Sequence, residues 1–267
     1  MAIDLRLTFN EDPLSYDKFR PTYTDELFED VIHYSSLDSN KEALEIGIGT
    51  GQATLPFLKT GSKLTAIEIG DNLAQFSREK FAQFKDFQVI NQDFESVQLP
   101  ENSYDLIYSA SAFHWIPIEI GLPKVLRLLK SGGAFTWFSV QPGPAAQHTH
   151  INEELQKVYS KYSKYFGTEK PLVDLVMRQK QAQEKLLNRS NALKQYGFVD
   201  VIGKLYYGSR TFHAEEYTTL ISTYSDHKAM PDHDRIPFLN EIAEVINANG
   251  GKFTLSDTMI MCIGRKL

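Results

Sequence analysis

The chain has 267 residues, 42% of them hydrophobic and 23% charged, with a formal net charge of −6. This is a globular composition, sufficient for one large domain or a domain with an elaborated cap, and it lacks the global basic field common among nucleic-acid binders. A single cysteine, Cys262, excludes an intrachain disulfide and any cysteine-cluster zinc site. With one cysteine the expected setting is the reduced cytoplasm; no stretch approaches the length of a membrane span, Met1-Ala2-Ile3-Asp4-Leu5-Arg6 has no basic-then-apolar pattern, and neither a membrane nor, on the charge, a nucleic-acid partner is expected.

In chain order, residues 1 to about 40 read as a helical cap segment before the first strand. The run Ala43-Leu44-Glu45-Ile46-Gly47-Ile48-Gly49-Thr50-Gly51-Gln52 then leads an apolar strand through a glycine-rich turn into a helix over 52–59. Glycines there let the backbone turn sharply and let a ligand approach where a Cβ would collide. A second strand over 62–69 ends at Glu68 and Ile69. A helix over 72–84 and a third strand over 87–90 follow, then Asn91-Gln92-Asp93-Phe94. The fourth strand covers 102–109 and runs into Ser109-Ala110-Ser111-Ala112-Phe113-His114-Trp115.

Lys130-Ser131-Gly132-Gly133 stops a helix and opens a fifth strand over 133–140, which Gln141-Pro142-Gly143-Pro144 breaks. Residues 144–190 read as a helical insertion, with helices over 152–165 and 171–187. Residues 191–267 return to the core: Tyr196-Gly197-Phe198 feeds a sixth strand, helices cover 214–224 and 234–248, and 257–264 forms the last strand. A second helical insertion falls at about 213–235. The two insertions are expected to form a lid over the carboxyl ends of the strands, where α/β sites lie.

The spacing of the glycines selects the ligand class. A dinucleotide fingerprint places its third glycine at the sixth position of G-x-G-x-x-G, and here that position is Gln52. The pattern is instead E-x-G-x-G-x-G, beginning at Glu45. With an acid at Glu68, roughly 20 residues past the first glycine, Asp93 after the third strand, and Tyr104-Asp105-Leu106-Ile107 opening the fourth, the chain resembles class I S-adenosylmethionine (SAM) methyltransferases over residues 41–143. His114-Trp115, and Tyr16 with Arg20-Pro21 in the segment Tyr16–Tyr23, are similar to the small-molecule, trans-aconitate methyltransferase-like subgroup. The resemblance implies a Rossmann-like α/β fold with a seven-stranded, mostly parallel sheet, an antiparallel last strand, and helices on both faces.

The resemblance also implies roles. Gly47, Gly49 and Gly51 cradle SAM, Glu45 stands near its methionine end, Glu68 receives the ribose, and Ile69 beside it belongs to the cofactor site. Asp93 accepts from the adenine amino group beside Phe94, and Ser109 and Ala110 border the methyl group. Tyr16 and Arg20 fold over the cofactor, the guanidinium meeting its carboxylate. His114 is the candidate base, and Trp115, Tyr224 and Ser225 are candidates for binding a small-molecule acceptor through oxygen, a carboxylate in the most specific version, or nitrogen. Each has a plainer alternative. Glu68 could be a solvated strand-end acid, Asp93 a turn cap, Arg20 a surface arginine, and His114 with Trp115 only a pocket wall. The tyrosines of 158–166 read as packing before pocket. His148-Thr149-His150 and Asp232-His233-Asp234 show no recognisable metal motif, so no metal is expected. A non-catalytic sensor or scaffold that binds SAM or S-adenosylhomocysteine is the competing function.

Overall fold

A computed structural model describes residue 10 and residues 12–166 and 175–267. The beginning of the expected cap segment (1–9 and 11) and the start of the helix expected from 171 lie outside the described residues. Seven strands form one sheet: β1 (Glu42–Ile46), β2 (Lys63–Glu68), β3 (Phe87–Asn91), β4 (Tyr104–Ala110), β5 (Leu129–Pro144), β6 (Val199–His213) and β7 (Lys252–Arg265). Their order is β3-β2-β1-β4-β5-β7-β6, six parallel and the last antiparallel. That is the Rossmann-like sheet expected from the sequence.

Contacts divide the chain into two compact units. The sheet unit comprises Pro21–Val140, Ala182–Tyr206 and Met259–Leu267. Alternate residues of a strand face opposite sides of a sheet, and this sheet buries both sides. Ala43, Leu106, Tyr108, Ala134 and Phe138 join one core with α2 (Asp25–Ser35), α3 (Thr54–Leu58) and α4 (Asp71–Lys80). Their strand neighbours Leu44, Ile107 and Phe135, with Cys262, join a second core with α5 (Ile118–Leu128) and Leu193. Helices therefore cover both faces, and Cys262 is an interior residue.

The helical unit comprises Met1–Arg20, Gln141–Gln181 and Tyr207–Thr258. It contains α1 (Pro13–Phe19), α6 (Thr149–Lys161), α7 (Ser163–Phe166), α9 (Ala214–Ser222), α10 (Ser225–Lys228) and α11 (Asp232–Ala248); α8 runs Leu175–Gln195. Its core gathers Leu155, Val158, Tyr217, Leu220, Phe238, Ile242 and Phe253.

Three strands are longer than their sequence suggests. β5 begins at Leu129 and continues through Gln141-Pro142-Gly143-Pro144, the segment expected to break it. Its pairing with β4 ends at Ala110↔Phe138. Beyond that point one edge of β5 no longer faces β4, and proline is tolerated where no ladder N–H is required. At its start, a register shift against β4 between Tyr104 and Leu106 absorbs the Lys130–Gly133 turn. β7 likewise starts at Lys252 rather than 257, and β6 reaches His213.

Candidate active site

The strand order changes direction at β1, which lies between β2 and β4, and ligands of open α/β sheets bind outside the carboxyl ends of strands at such a switch point. The turn after β1 has glycine at 47, 49 and 51, with φ of +73°, +58° and +83°. Those are left-handed conformations that side-chain-bearing residues adopt only at a cost. Close approach excludes a Cβ as well: at Gly47 it would lie 2.4 Å from Ala112 Cβ, and at Gly51 2.3 Å from the Phe81 ring. The turn is held from outside, since Ser77 Oγ donates to the Gly49 carbonyl (2.7 Å) and Lys80 Nζ to that of Thr50 (2.9 Å).

Glu68, at the end of β2, joins this turn to the next. One carboxylate oxygen accepts from Gly49 N at 2.8 Å and the other from Gly70 N at 2.9 Å. The residue is only 5% exposed, which excludes the solvated strand-end reading. Burial raises its pKa, opposed by the Gly70, Gly49 and Ile69 amides. A carboxylate has about four acceptor positions, so roughly two remain for a ligand diol. Asn91 Nδ2 donates to the carbonyls of Glu68 (2.9 Å) and Ile69 (3.1 Å), fixing the neighbouring backbone.

Asp93 caps its own turn: its two oxygens accept from Ser96 N (2.7 Å) and Ser96 Oγ (2.6 Å). Phe94 is buried in the second core with Lys124 Nζ 5.0 Å from its ring. Ser109 is also buried, and its hydroxyl latches β4 to β1 through the Ile46 carbonyl at 2.9 Å; Ala110 follows, half-buried.

Glu45 is fully enclosed beneath the glycine turn. Its Oε2 accepts from Thr54 Oγ1 (2.7 Å) and Tyr108 Oη (2.8 Å). Burial pushes this carboxyl up to about 8, against the two hydrogen bonds and with help from the Glu68 charge. Because the folded-state value lies above the ordinary value of 4.5, the folded protein holds this proton more tightly than the unfolded chain. The stabilisation is complete below about 4.5 and is lost as pH rises through about 8. The ligand-free protein should therefore lose stability between those values by on the order of 1 kcal/mol per pH unit. Glu45→Gln should flatten much of that slope, leaving the part of the same sign that Glu68 contributes. Urea melts between pH 5 and pH 8 check this, and an unchanged slope in the variant would contradict the protonated Glu45.

After β4 the chain enters Ser111, whose φ of +56° is left-handed. Tyr23 Oη and Ser111 Oγ share a 2.8 Å hydrogen bond, and Ser111 N donates to the Phe138 carbonyl at 2.8 Å. His114 lies in the 3-10 turn Phe113–Trp115, with the Trp115 ring 5.0 Å away. Its residue surface is exposed, yet the protein packed around its ring, followed by the charges of Arg189 and Lys185, lowers its pKa from the usual value. A ring that is neutral at pH 7 can accept a proton. Arg189 stacks over Trp137 at 4.5 Å, donates to Ser139 Oγ (2.8 Å) and the Ile260 carbonyl (3.1 Å), and is lowered by burial to about 10.

The remaining candidates are in the helical unit. Arg20 follows α1, with its guanidinium 4.7 Å from both the Tyr16 and Tyr224 rings, and its Nη2 donates to the Thr223 carbonyl at 2.8 Å. Ser225 opens α10 immediately after Tyr224. The structure thus gathers Tyr16, Arg20 and Tyr224 into one cluster, with Ser225 next along the chain, whereas the glycine turn, Glu45, Glu68, Ser109 and His114 belong to the sheet unit. Sequence reasoning passed over Tyr23, Asn91, Ser111 and Arg189. Tyr23 stands within the Tyr16–Tyr23 segment, but nothing local marks its partner 88 positions away.

Of the residues checked for metal binding, His148 instead accepts from Thr254 N through Nδ1 at 2.8 Å, and Asp234 accepts from Lys164 and Tyr165. Among the described residues no three His, Cys, Asp or Glu side chains converge as a metal would need, and no helix is long and apolar enough to cross a membrane.

Residues 44–137 match the profile of a family described as methyltransferase domain. A candidate methyltransferase of Dictyostelium discoideum is 30% identical over 167 residues, covering 60% of each chain. An rRNA adenine N-6-methyltransferase of Lysinibacillus sphaericus is 25% identical over 168 residues, covering 58% of this chain and 67% of its own. The chain thus spans about 60–67% of the length of these relatives. A candidate type II methyltransferase structure from Anaeromyxobacter dehalogenans superposes with a TM-score of 0.63 at 18% identity, over 93% of this chain and 99% of that one, and shares the fold.

Proposed function

We propose that this chain is a class I SAM-dependent methyltransferase acting on a small molecule through oxygen or nitrogen. The observation that carries this reading is Glu68, which clamps Gly49 and Gly70 and retains acceptor capacity beside a turn where a Cβ would collide at Gly47 and Gly51. The methyltransferase-domain match covers the same segment. A nucleotide-sized ligand fits such a cradle: Glu68 would hold the ribose diol, the glycine turn would admit the amino-acid end above Glu45, and Asp93 with Ile69 would border the base. When bound, SAM supplies an already activated methyl group on its sulfonium.

The chain has little else to do chemically. It aligns the acceptor and excludes water, an effect that can account for roughly 7–11 kcal/mol of a barrier. A neutral His114 can take the acceptor's proton as its oxygen or nitrogen attacks, which typically adds about 10²–10⁴ in rate. The rRNA-modifying relative makes RNA an acceptor class to test beside small molecules, although the net charge of −6 supplies no global attraction to phosphates.

Calorimetric titration with SAM, followed by a screen of carboxylates, phenols, amines and a structured RNA for S-adenosylhomocysteine release, tests the proposal. Micromolar binding with release driven by a small acceptor is expected, and His114→Ala should cut turnover at least tenfold with little change in SAM affinity. Binding with no release by any acceptor would favour the sensor reading. Release with RNA alone would overturn the acceptor class, and absence of binding would overturn the whole proposal.

A further inference from the structure

The buried stripe of α5 consists of Gly121, Leu122, Val125 and Leu128, and Lys124 stands on it, three residues after Gly121 and four before Leu128. Only 7% of Lys124 is exposed. An ammonium group in the interior is costly unless it is bonded, and among the described residues this one is bonded to backbone rather than to a carboxylate. Its Nζ donates to the carbonyls of Val97 (2.5 Å) and Glu95 (3.3 Å) and lies 5.0 Å from the centre of the Phe94 ring. Burial, followed by the charge of Arg127, lowers its pKa from the usual value, while the Asp93 and Glu95 charges oppose the shift. Replacing a buried ion by an apolar side chain of similar volume is often neutral or stabilising. A methionine would therefore serve the α5 core as well, and the reason for a lysine lies in the turn that it grips.

That turn follows β3 and belongs, like α5, to the sheet unit. Val97 N donates to the Asp93 carbonyl at 3.2 Å, and Ser96 engages both oxygens of the Asp93 side chain. Phe94 and Val97 anchor the turn in the second core. Lys124 completes the clamp by holding the two carbonyls on either side of Ser96, the residue that fixes the Asp93 carboxylate.

We propose that Lys124 is a positioning residue for the base of SAM: by gripping Glu95 and Val97 from α5 it holds the Ser96 turn so that the Asp93 carboxylate is directed at the amino group of the adenine. This rests on the reading that Asp93 borders the base.

The test is calorimetric titration of the full chain with S-adenosylhomocysteine and with S-inosylhomocysteine, in which an oxygen replaces that amino group. A donor matched to a carboxylate is replaced by an acceptor, so the parent should prefer the adenosyl ligand at least about tenfold. Asp93→Asn should lose most of that preference. Lys124→Met, similar in length but without charge or donors, should still bind S-adenosylhomocysteine while its preference falls at least threefold. The two ligands share their ribose and amino-acid ends, so a general loosening of the site would weaken both alike and leave the ratio unchanged. Affinities are measured well below each melting temperature, and Lys124→Gln, too short to span both carbonyls, replaces Lys124→Met if that variant does not fold. A Lys124 variant with the parent's preference, where Asp93→Asn has lost it, would overturn the role of Lys124 and leave the base reading standing. No preference in the parent, or one that Asp93→Asn retains, would overturn the base reading and this proposal with it.

Discussion

Glu68→Ala is expected to weaken SAM binding by at least a hundredfold. The Glu68 carboxylate has about two acceptor positions left after serving Gly49 N and Gly70 N. Hydrogen bonds to a charged group contribute roughly 1.5–3 kcal/mol each. Losing two such bonds to a ribose diol therefore exceeds the 2.8 kcal/mol or so that corresponds to a hundredfold change. The same substitution leaves two amides without their partner, at about 1–3 kcal/mol apiece, so the melting temperature should fall as well. Affinity must be measured by calorimetry well below that temperature. A lowered melting temperature with unchanged affinity would reduce Glu68 to a clamp between two turns and remove it from ribose binding.

Gly47→Ala is expected to destabilise the protein by about 2–5 kcal/mol and to abolish detectable SAM binding. The left-handed backbone at φ +73° costs an alanine roughly 1–2 kcal/mol. Its methyl would also lie 2.4 Å from Ala112 Cβ, where carbon atoms prefer about 3.5–4.0 Å. Ala112 has no longer side chain to swing aside, so backbone must move, and overpacking of this kind costs about 1–3 kcal/mol. At roughly 2–4 °C per kcal/mol for a chain near this size, the melting temperature should drop by about 4–20 °C. Gly250→Ala is the control: it has φ +96° and nothing within 4 Å of the added Cβ, so it should show the backbone cost alone. Equal effects at the two positions would mean that the contact with Ala112 contributes nothing.

Several elements of this fold follow from local pattern. The glycines at 47, 49 and 51 announce a turn with positive φ because no other residue takes that conformation freely, and all three take it. Apolar runs of strand length alternating with helical periods imply a parallel sheet, and the sheet has that architecture. The strand ends were less legible. Pro142 and Pro144 read as a break, yet β5 passes through both, because whether a proline interrupts a strand depends on which edge has a neighbour.

The candidate site divides along the same line. Spacing alone marks Glu68 as an acid after the second strand, but only the folded chain decides that it is buried and engages Gly49 and Gly70. Asp93 shows the reverse: its turn-capping alternative is visible in Asp93-Phe94-Glu95-Ser96, and the structure makes that cap with Ser96. The left-handed Ser111 and its bond to Tyr23, and the Arg189 contacts with Trp137, Ser139 and Ile260, had no sequence signal. The existence of a helix or strand, and the positive φ of a glycine turn, depend on residues a few positions apart, so composition and period announce them. Hydrogen bonds between side chains 50 to 88 positions apart depend on which faces the packed sheet and helices bring together, and that is decided only in the tertiary structure.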